Sequence, residues 1–204
     1  MHFTRNYGAS KSGSDENNVP FKTVDQHHHD SLVSLIQEHQ LEGLWTADEI
    51  SEISRIWHFL IPWPDSPQGL QGFNDLGIPT CTLSNGNVSL LQDLAKFAHL
   101  PWTHIFSSEH FGAYKPSPKV YKGAVKKLGF QEHECAMVAA HLGDLQAAHL
   151  SGLKTIYVER EQEESWSTEE IEAAKNEGWV DLWVGIDGRD GNEGFLEVVR
   201  RLAA

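Results

Sequence analysis

From residue 78 onward, apolar stretches of strand length alternate with segments of helical pattern, and this alternation constrains the fold more than any other feature of the chain. The apolar stretches occur in "IPTCTLSNG", "WTHIFSSE", "CAMVAAH" and "KTIYVER". The helical segments between them are "VSLLQDLAKFA", "SPKVYKGAVKKLGF" and "DLQAAHLSG". Strands separated by helices tend to pair in parallel, and helices then cover both faces of the sheet. The sequence therefore predicts an α/β fold.

The residues before this alternation have a helical pattern that ends at a proline-rich segment. Thr46 and Glu49 have the spacing of a capping box, which predicts that a helix begins there. The isoleucines that follow predict one amphipathic helix up to Leu60, with its apolar side buried. The prolines of "PWPDSP" disfavour helical backbone in the residues before them. We therefore expect a helical cap over residues 1–62 and an α/β core over residues 63–204.

The charge balance and the two cysteines exclude several classes of protein. The chain has 16 basic and 29 acidic residues and a net charge of −13, so it has no basic stripe to displace the counterions of a nucleic acid. No apolar run is long enough to span a membrane, and the opening residues have no signal-peptide core. Cys81 and Cys135 lie beside apolar strands, which favours reduced thiols. We expect a cytoplasmic protein whose partner is a small molecule.

Polar side chains follow three of the predicted strands at the point where each strand ends. These positions are Ser84-Asn85, Lys115-Pro116 and the stretch from His141 to Asp144. Ligands of open parallel sheets bind at the carboxyl ends of the strands. A turn, a surface lysine and a helix N-cap would explain each position separately. Their occurrence on successive strand ends favours a binding site.

The same segments resemble a known family. "TLSNGN", "FGAYKPSPKVY" and "MVAAHLGDLQAAHLSGLKTIYVER" resemble motifs II, III and IV of the haloacid dehalogenase superfamily, in the style of type II 2-haloacid dehalogenases. The resemblance implies a Rossmannoid parallel sheet flanked by helices, with a small helical cap. It also implies a hydrolase that acts on a 2-haloacid or a related small carboxylate, needs no cofactor and is a possible homodimer.

The resemblance assigns roles to the polar residues at the strand ends. Ser84 and Asn85 would bind the substrate carboxylate, because preorganised donors stabilise negative charge. Lys115 would be a fixed cation that faces the nucleophilic carboxylate and keeps it ionised. Asp144 would hold Lys115 and help to orient the hydrolytic water. Tyr121 follows after about one turn of helix, so its hydroxyl could reach the same site.

The fourth motif departs from the family pattern in two ways. Phosphatases of the superfamily carry a second carboxylate just after the fourth strand, where it binds Mg²⁺, but this chain has Ala139 and Ala140 there. We therefore expect no metal, and a magnesium-dependent phosphatase becomes the less favoured alternative. His141 stands where the family often has asparagine, and we expect it to bind substrate. Gly143 replaces a common aromatic residue of the pocket wall.

The family's nucleophile is an aspartate at the end of its first core strand, and no segment of this kind is found here. No Asp-x-x-Gly-Thr occurs in the 204 residues, and the Asp187-Gly188 turn fits a terminal strand better. In the family's sheet, the first strand lies between the strands that end in motifs II and IV. We therefore expect a truncated or inactive hydrolase of low stability, because unpaired inner strand edges are costly. The alternative is a non-catalytic protein that binds a small carboxylate or a partner.

Overall fold

The computed structural model describes residues 22–186 and 193–204. The α-helices are α1 (Val24–Glu38), α2 (Ala47–Ser54), α3 (Ser66–Asp75), α4 (Val88–Phe97), α5 (Pro118–Leu128), α6 (Leu142–Leu150), α7 (Thr168–Glu177) and α8 (Gly194–Leu202). The strands are β1 (Cys81–Ser84), β2 (His104–Ser107), β3 (Ala136–Ala139), β4 (Lys154–Val158) and β5 (Leu182–Val184). None of these described helices has both the length and the apolar character of a membrane span. The Asp187-Gly188 turn considered above lies outside the described residues.

Helices α1 and α2 pack against each other, and each begins at a threonine. The Thr23 hydroxyl accepts a hydrogen bond from the backbone N–H of Gln26 at 3.2 Å. At Thr46 the predicted capping box is confirmed. The backbone N–H of Glu49 donates to the Thr46 hydroxyl at 3.3 Å, and the Glu49 carboxylate accepts from the Thr46 N–H at 2.7 Å. The caps fix where the two helices begin, because each satisfies N–H groups that have no partner within the helix.

The prediction of one continuous helix up to Leu60 is wrong. Helix α2 ends at Ser54, and a short 3₁₀ turn follows over Ile56–Phe59. The side that was expected to be buried is largely open, since Trp57 is 44% exposed. The physical reason is His58, which is 1% exposed and bonded to two aspartates. The contacts of His58 with the two aspartates set the orientation of this turn, so the turn does not follow the apolar pattern of the sequence.

The strands run parallel, as predicted, but they form two sheets. β1 pairs with β2 in a register that begins at Cys81↔His104 and ends at Ser84↔Ser107. β3 pairs with β4, and β4 pairs with β5. Within residues 22–186 and 193–204, no strand ladder joins β1 to β3. The inner edges of the two sheets are therefore unpaired in the part of the chain that is described.

Apolar clusters cover both faces of the β3–β5 sheet. On one face, Phe73 of α3 and Val198 of α8 pack against Ile156 of β4. Leu142 of α6 packs with Tyr157, which is the next residue of the same strand. Successive residues of a strand point to opposite faces, so the two clusters lie on opposite sides of the sheet. This is the helix–sheet–helix layering that the alternation of segments predicts.

Helices α5 and α6 connect the two sheets. Tyr121 of α5 and Ala148 of α6 are fully buried in one cluster. Leu83 of β1 and Met137 of β3 both pack against this cluster. One helix layer therefore covers both sheets on the same side, and it holds β1 and β3 in place without a ladder between them.

A buried ion pair fastens the proline-rich segment to the core. The two terminal guanidinium nitrogens of Arg160, which follows β4, each donate to one oxygen of the Asp65 carboxylate at 2.7 Å. The backbone N–H of Phe195 donates to the same carboxylate at 2.7 Å. Gly194 is required beside the pair, because a Cβ there would lie 2.5 Å from Arg160 Nη2. The start of α3, the end of β4 and the start of α8 are thus held at one point.

Candidate active site

The loop after β1 bonds to the loop that contains Lys115. The Asn85 side-chain oxygen accepts hydrogen bonds from the Lys115 backbone N–H and from the Ser108 hydroxyl, each at 2.7 Å. The Asn85 amide nitrogen donates to the Lys115 carbonyl at 3.3 Å. The backbone N–H of Gly86 donates to the Ser84 hydroxyl at 3.0 Å, and that hydroxyl keeps its own proton for a ligand. Asn85 therefore organises the site, and its amide nitrogen uses one of its two N–H groups in the bond to Lys115.

Lys115 and Asp144 are brought together as predicted. Lys115 Nζ lies 2.5 Å from Asp144 Oδ2, and the two side chains are 16% and 17% exposed. Lys115 precedes α5, and Asp144 lies in the first turn of α6, just beyond the end of β3. The pair therefore joins the carboxyl ends of the two sheets with a charge-assisted hydrogen bond, which is stronger than a neutral one.

Tyr121 completes this cluster. Its side chain is fully buried, and its hydroxyl donates to Asp144 Oδ1 at 2.5 Å. Pro118 lies at the start of α5, where a proline fits, and this places Tyr121 one turn into the helix. Burial raises the pKa of Tyr121 well above its ordinary range, and the Asp144 carboxylate raises it further. The hydroxyl therefore stays protonated and acts as a hydrogen-bond donor.

His141 lies beside the cluster but points toward the loop after β4. Its Nε2 is 3.3 Å from Glu163 Oε2, and both side chains are about half exposed. Glu164 in the same loop accepts a hydrogen bond from the Leu142 backbone N–H at 2.8 Å. A Cβ at Gly143 would lie 3.7 Å from Trp166 Nε1, so an indole from this loop borders the place where the family has its aromatic residue. A contact between His141 and substrate remains a prediction.

The end of β3 offers no metal ligands. Ala139 and Ala140 carry no oxygen atom in their side chains. Within the described parts of the chain, no group of three or more histidines, cysteines, aspartates and glutamates is arranged to hold a metal ion. The two carboxylate oxygens of Asp144 are already bonded, one to Lys115 and the other to Tyr121.

Two serines of the site were missed from the sequence. Ser107 is the last residue of β2 and Ser108 follows it, and both are fully buried. The Ser107 hydroxyl donates to the Gly86 carbonyl at 2.6 Å, and the Ser108 hydroxyl donates to Asn85. The strand-end rule that identified Ser84 would have found them, because "WTHIFSSE" also ends a predicted strand.

Comparison with known proteins agrees with this geometry. A family model described as haloacid dehalogenase-like hydrolase matches residues 7–152. The (S)-2-haloacid dehalogenase 4A of Burkholderia cepacia is 30% identical over 104 residues, which are 50% of this chain and 45% of that protein. The glyceraldehyde 3-phosphate phosphatase of Methanopyrus kandleri is 27% identical over 107 residues, which are 50% of this chain and 45% of that protein. The chain thus spans about half the length of these curated relatives.

The fold also has close counterparts among solved structures. The crystal structure of the L-2-haloacid dehalogenase PA0810 superposes with a TM-score of 0.79 at 30% identity, and the match covers 98% of this chain and 83% of that one. The matched family model, this structural likeness and the polar residues at the ends of β1 and β3 all point to one assignment. The chain belongs to the haloacid dehalogenase-like hydrolases.

Proposed function

We propose that the chain has a 2-haloacid dehalogenase-type site, which binds a small carboxylate at the carboxyl ends of β1 and β3. The observation that supports this most directly is the Lys115–Asp144–Tyr121 cluster beside Ser84. It combines a cation, the Ser84 hydroxyl as a donor and a carboxylate fixed by Tyr121 in one place, which suits an anionic substrate. The relatives described as 2-haloacid dehalogenases agree with this substrate class.

In this proposal each side chain has a limited task. The Ser84 hydroxyl and the other Asn85 N–H donate to the substrate carboxylate. Lys115 supplies positive charge to a carboxylate nucleophile, and Asp144 fixes Lys115 and orients water. The reaction forms a bond from a carboxylate oxygen to C2 of the substrate and breaks the carbon–halogen bond, so that halide leaves. Water then cleaves the resulting ester, which gives a 2-hydroxyacid and restores the carboxylate.

The nucleophile itself has no candidate among the described residues of the site. Asp144 has each carboxylate oxygen in contact with Lys115 or Tyr121, so it is not free to attack. The inner edges of β1 and β3 are the place where a further parallel strand would bring an aspartate to Lys115. We infer that this chain binds a 2-haloacid but releases no halide, because the described residues of the site include no carboxylate that is free to attack.

The test compares binding with turnover. We would titrate the chain with (S)-2-chloropropionate by calorimetry and measure chloride release in parallel. The proposal expects saturable binding that Lys115→Met weakens, without chloride release. Lys154→Met is the matched control, because Lys154 begins β4 at the opposite end of the sheet. Chloride release that Lys115→Met abolishes would overturn the inference of inactivity, and no binding at all would overturn the carboxylate site.

A non-catalytic carboxylate-binding or partner-binding protein is the second candidate. The same observation favours it, because the donors of the site are present while no free carboxylate nucleophile is found among the described residues of the site. Stabilisation by 2-chloropropionate and equally by propionate, which has no halogen to lose, would support it. A magnesium phosphatase is less favoured because of Ala139 and Ala140, and it requires magnesium-dependent hydrolysis of p-nitrophenyl phosphate.

The location and the oligomeric state are also proposals. The unpaired thiols of Cys81 and Cys135 fit a reducing compartment such as the cytoplasm. Exposed apolar side chains that follow α2 favour a homodimer, because such patches mark contact surfaces. They are Ile56, Trp57, Phe59, Leu60 and Ile61. Light scattering would test the dimer, and a mass of one chain at every concentration would contradict it.

A further inference from the structure

We propose that His58 is a positioning residue, which holds the Ser84–Asn87 loop in its ligand-binding shape through Asp25 and Asn87. His58 belongs to the 3₁₀ turn after α2, far along the sequence from the loop. None of the sequence motifs that identified the site contains His58. The effect on ligand affinity rests on the proposed function, whereas the effect on the order of the loop does not.

His58 lies between two carboxylates. Its side chain is 1% exposed, with Nδ1 at 2.7 Å from Asp93 Oδ2 and Nε2 at 3.0 Å from Asp25 Oδ1. A neutral imidazole has one N–H, so one of these contacts would place a lone pair against a carboxylate oxygen. The doubly protonated ring donates to both carboxylates. The arrangement therefore requires the imidazolium form for both hydrogen bonds.

Asp25 connects His58 to Asn87 through its two carboxylate oxygens. The second oxygen of Asp25 accepts a hydrogen bond from Asn87 Nδ2 at 2.7 Å, and the Asp25 backbone N–H donates to Asn87 Oδ1 at 3.2 Å. Asn87 also donates to the Ser89 hydroxyl at 2.7 Å. Asn87 is 6% exposed, so these bonds are shielded from water. Helix α1 is thereby joined to the residue that caps α4.

Asn87 is the last residue of the loop that contains Ser84. Between them, the Gly86 N–H donates to Ser84 Oγ at 3.0 Å, and the Gly86 carbonyl accepts from Ser107 at 2.6 Å. A Cβ at Gly86 would lie 3.0 Å from Leu90 Cδ2, so the backbone has little free space. A displacement of Asn87 is therefore transmitted to Ser84 within three residues.

Other charged groups lie around His58 and its two carboxylate partners. Arg55 Nη2 lies 3.6 Å from Asp93 Oδ2. Burial lowers the pKa of His28 on α1, while Asp25 opposes this change and the charge of His58 adds to it. If His58 is replaced, the Asp25 and Asp93 carboxylates, which are 27% and 37% exposed, lose the ring that bonds both of them. Asp25 is then held less firmly, and its bond to Asn87 weakens.

The experiment measures the loop directly and the ligand separately. Hydrogen-exchange protection of the Gly86 and Asn87 amides would be compared in the wild type, His58→Gln, Asn87→Ala and the double variant, with (S)-2-chloropropionate affinity measured in each. Either single change should lower protection and weaken affinity about tenfold, which is a typical coupling between sites. The double variant should lose no more protection or affinity than the more damaging of the two single variants, because both changes break the same chain of contacts. His104→Gln, at an exposed histidine of β2, should change neither quantity.

A second variant keeps the proposal open to refutation. If His58→Gln does not fold, Asp25→Asn takes its place, because Asp25 links His58 to Asn87, and it should lower the protection of the same amides. Unchanged protection in a folded His58→Gln, or additive losses in the double variant, would overturn the proposal. If wild type does not bind 2-chloropropionate, the proposed function fails, and the exchange data alone decide the role of His58.

Discussion

Lys115 Nζ lies 2.5 Å from Asp144 Oδ2, and this ion pair joins two sheets that share no strand ladder within the described residues. Lys115→Met should lower the free energy of unfolding by about 1–3 kcal/mol, because it leaves the Asp144 carboxylate largely buried with only Tyr121 as a partner. Urea unfolding would measure this. Lys154→Met should have little effect, and an equal loss in that control would show that the pair is not responsible.

The buried Asp65–Arg160 pair should be costlier to break. The two side chains are 0% and 5% exposed, and removal of one partner leaves a buried charge. We expect Arg160→Met to lower the free energy of unfolding by about 3–5 kcal/mol. Arg200→Met, which removes an exposed pair with Glu193 and Glu197, serves as the control and should leave the unfolding midpoint unchanged. Equal midpoints for the two variants would contradict the prediction.

Alkaline pH should destabilise the chain through Tyr157. Burial raises its pKa from 10.0 to about 12, and Glu164 and Glu159 add to this rise. The folded state keeps the phenol proton above pH 10, where the unfolded state loses it, so stability falls as pH rises from about 10 toward 12. The pH dependence of the unfolding midpoint in urea would measure this. Tyr157→Phe should show a shallower fall, and an unchanged slope would contradict the assignment.

The inner edges of β1 and β3, which have no ladder partner among residues 22–186 and 193–204, predict low stability for this chain. Each unsatisfied buried backbone group costs about 1–3 kcal/mol, while a domain has only about 5–15 kcal/mol in total. Calorimetry should therefore find a broad unfolding transition at low temperature. A cooperative transition well above body temperature would contradict this expectation.

Local patterns predicted the parallel strands and the Thr46 capping box, because strand ends and caps are encoded within a few residues. The contact of Lys115 with Asp144 was implied by the resemblance to the family. The end of α2 at Ser54 was not predictable in this way. His58 is 35 residues from Asp93 in sequence, so the contact that turns it inward has no local signal. The bonds from Asn85 to Lys115 were also missed, because a motif names the residues of a site without saying which of them hold the others.

Those bonds at Asn85 have a kinetic consequence. Its side-chain oxygen receives the N–H of Lys115 and the hydroxyl of Ser108 together, so the loops that follow β1 and β2 and the loop before α5 are tied to one atom. No one of these loops can rearrange without the others. An arriving ligand meets a preset shape, and its association should proceed in a single exponential phase whose rate rises linearly with ligand concentration.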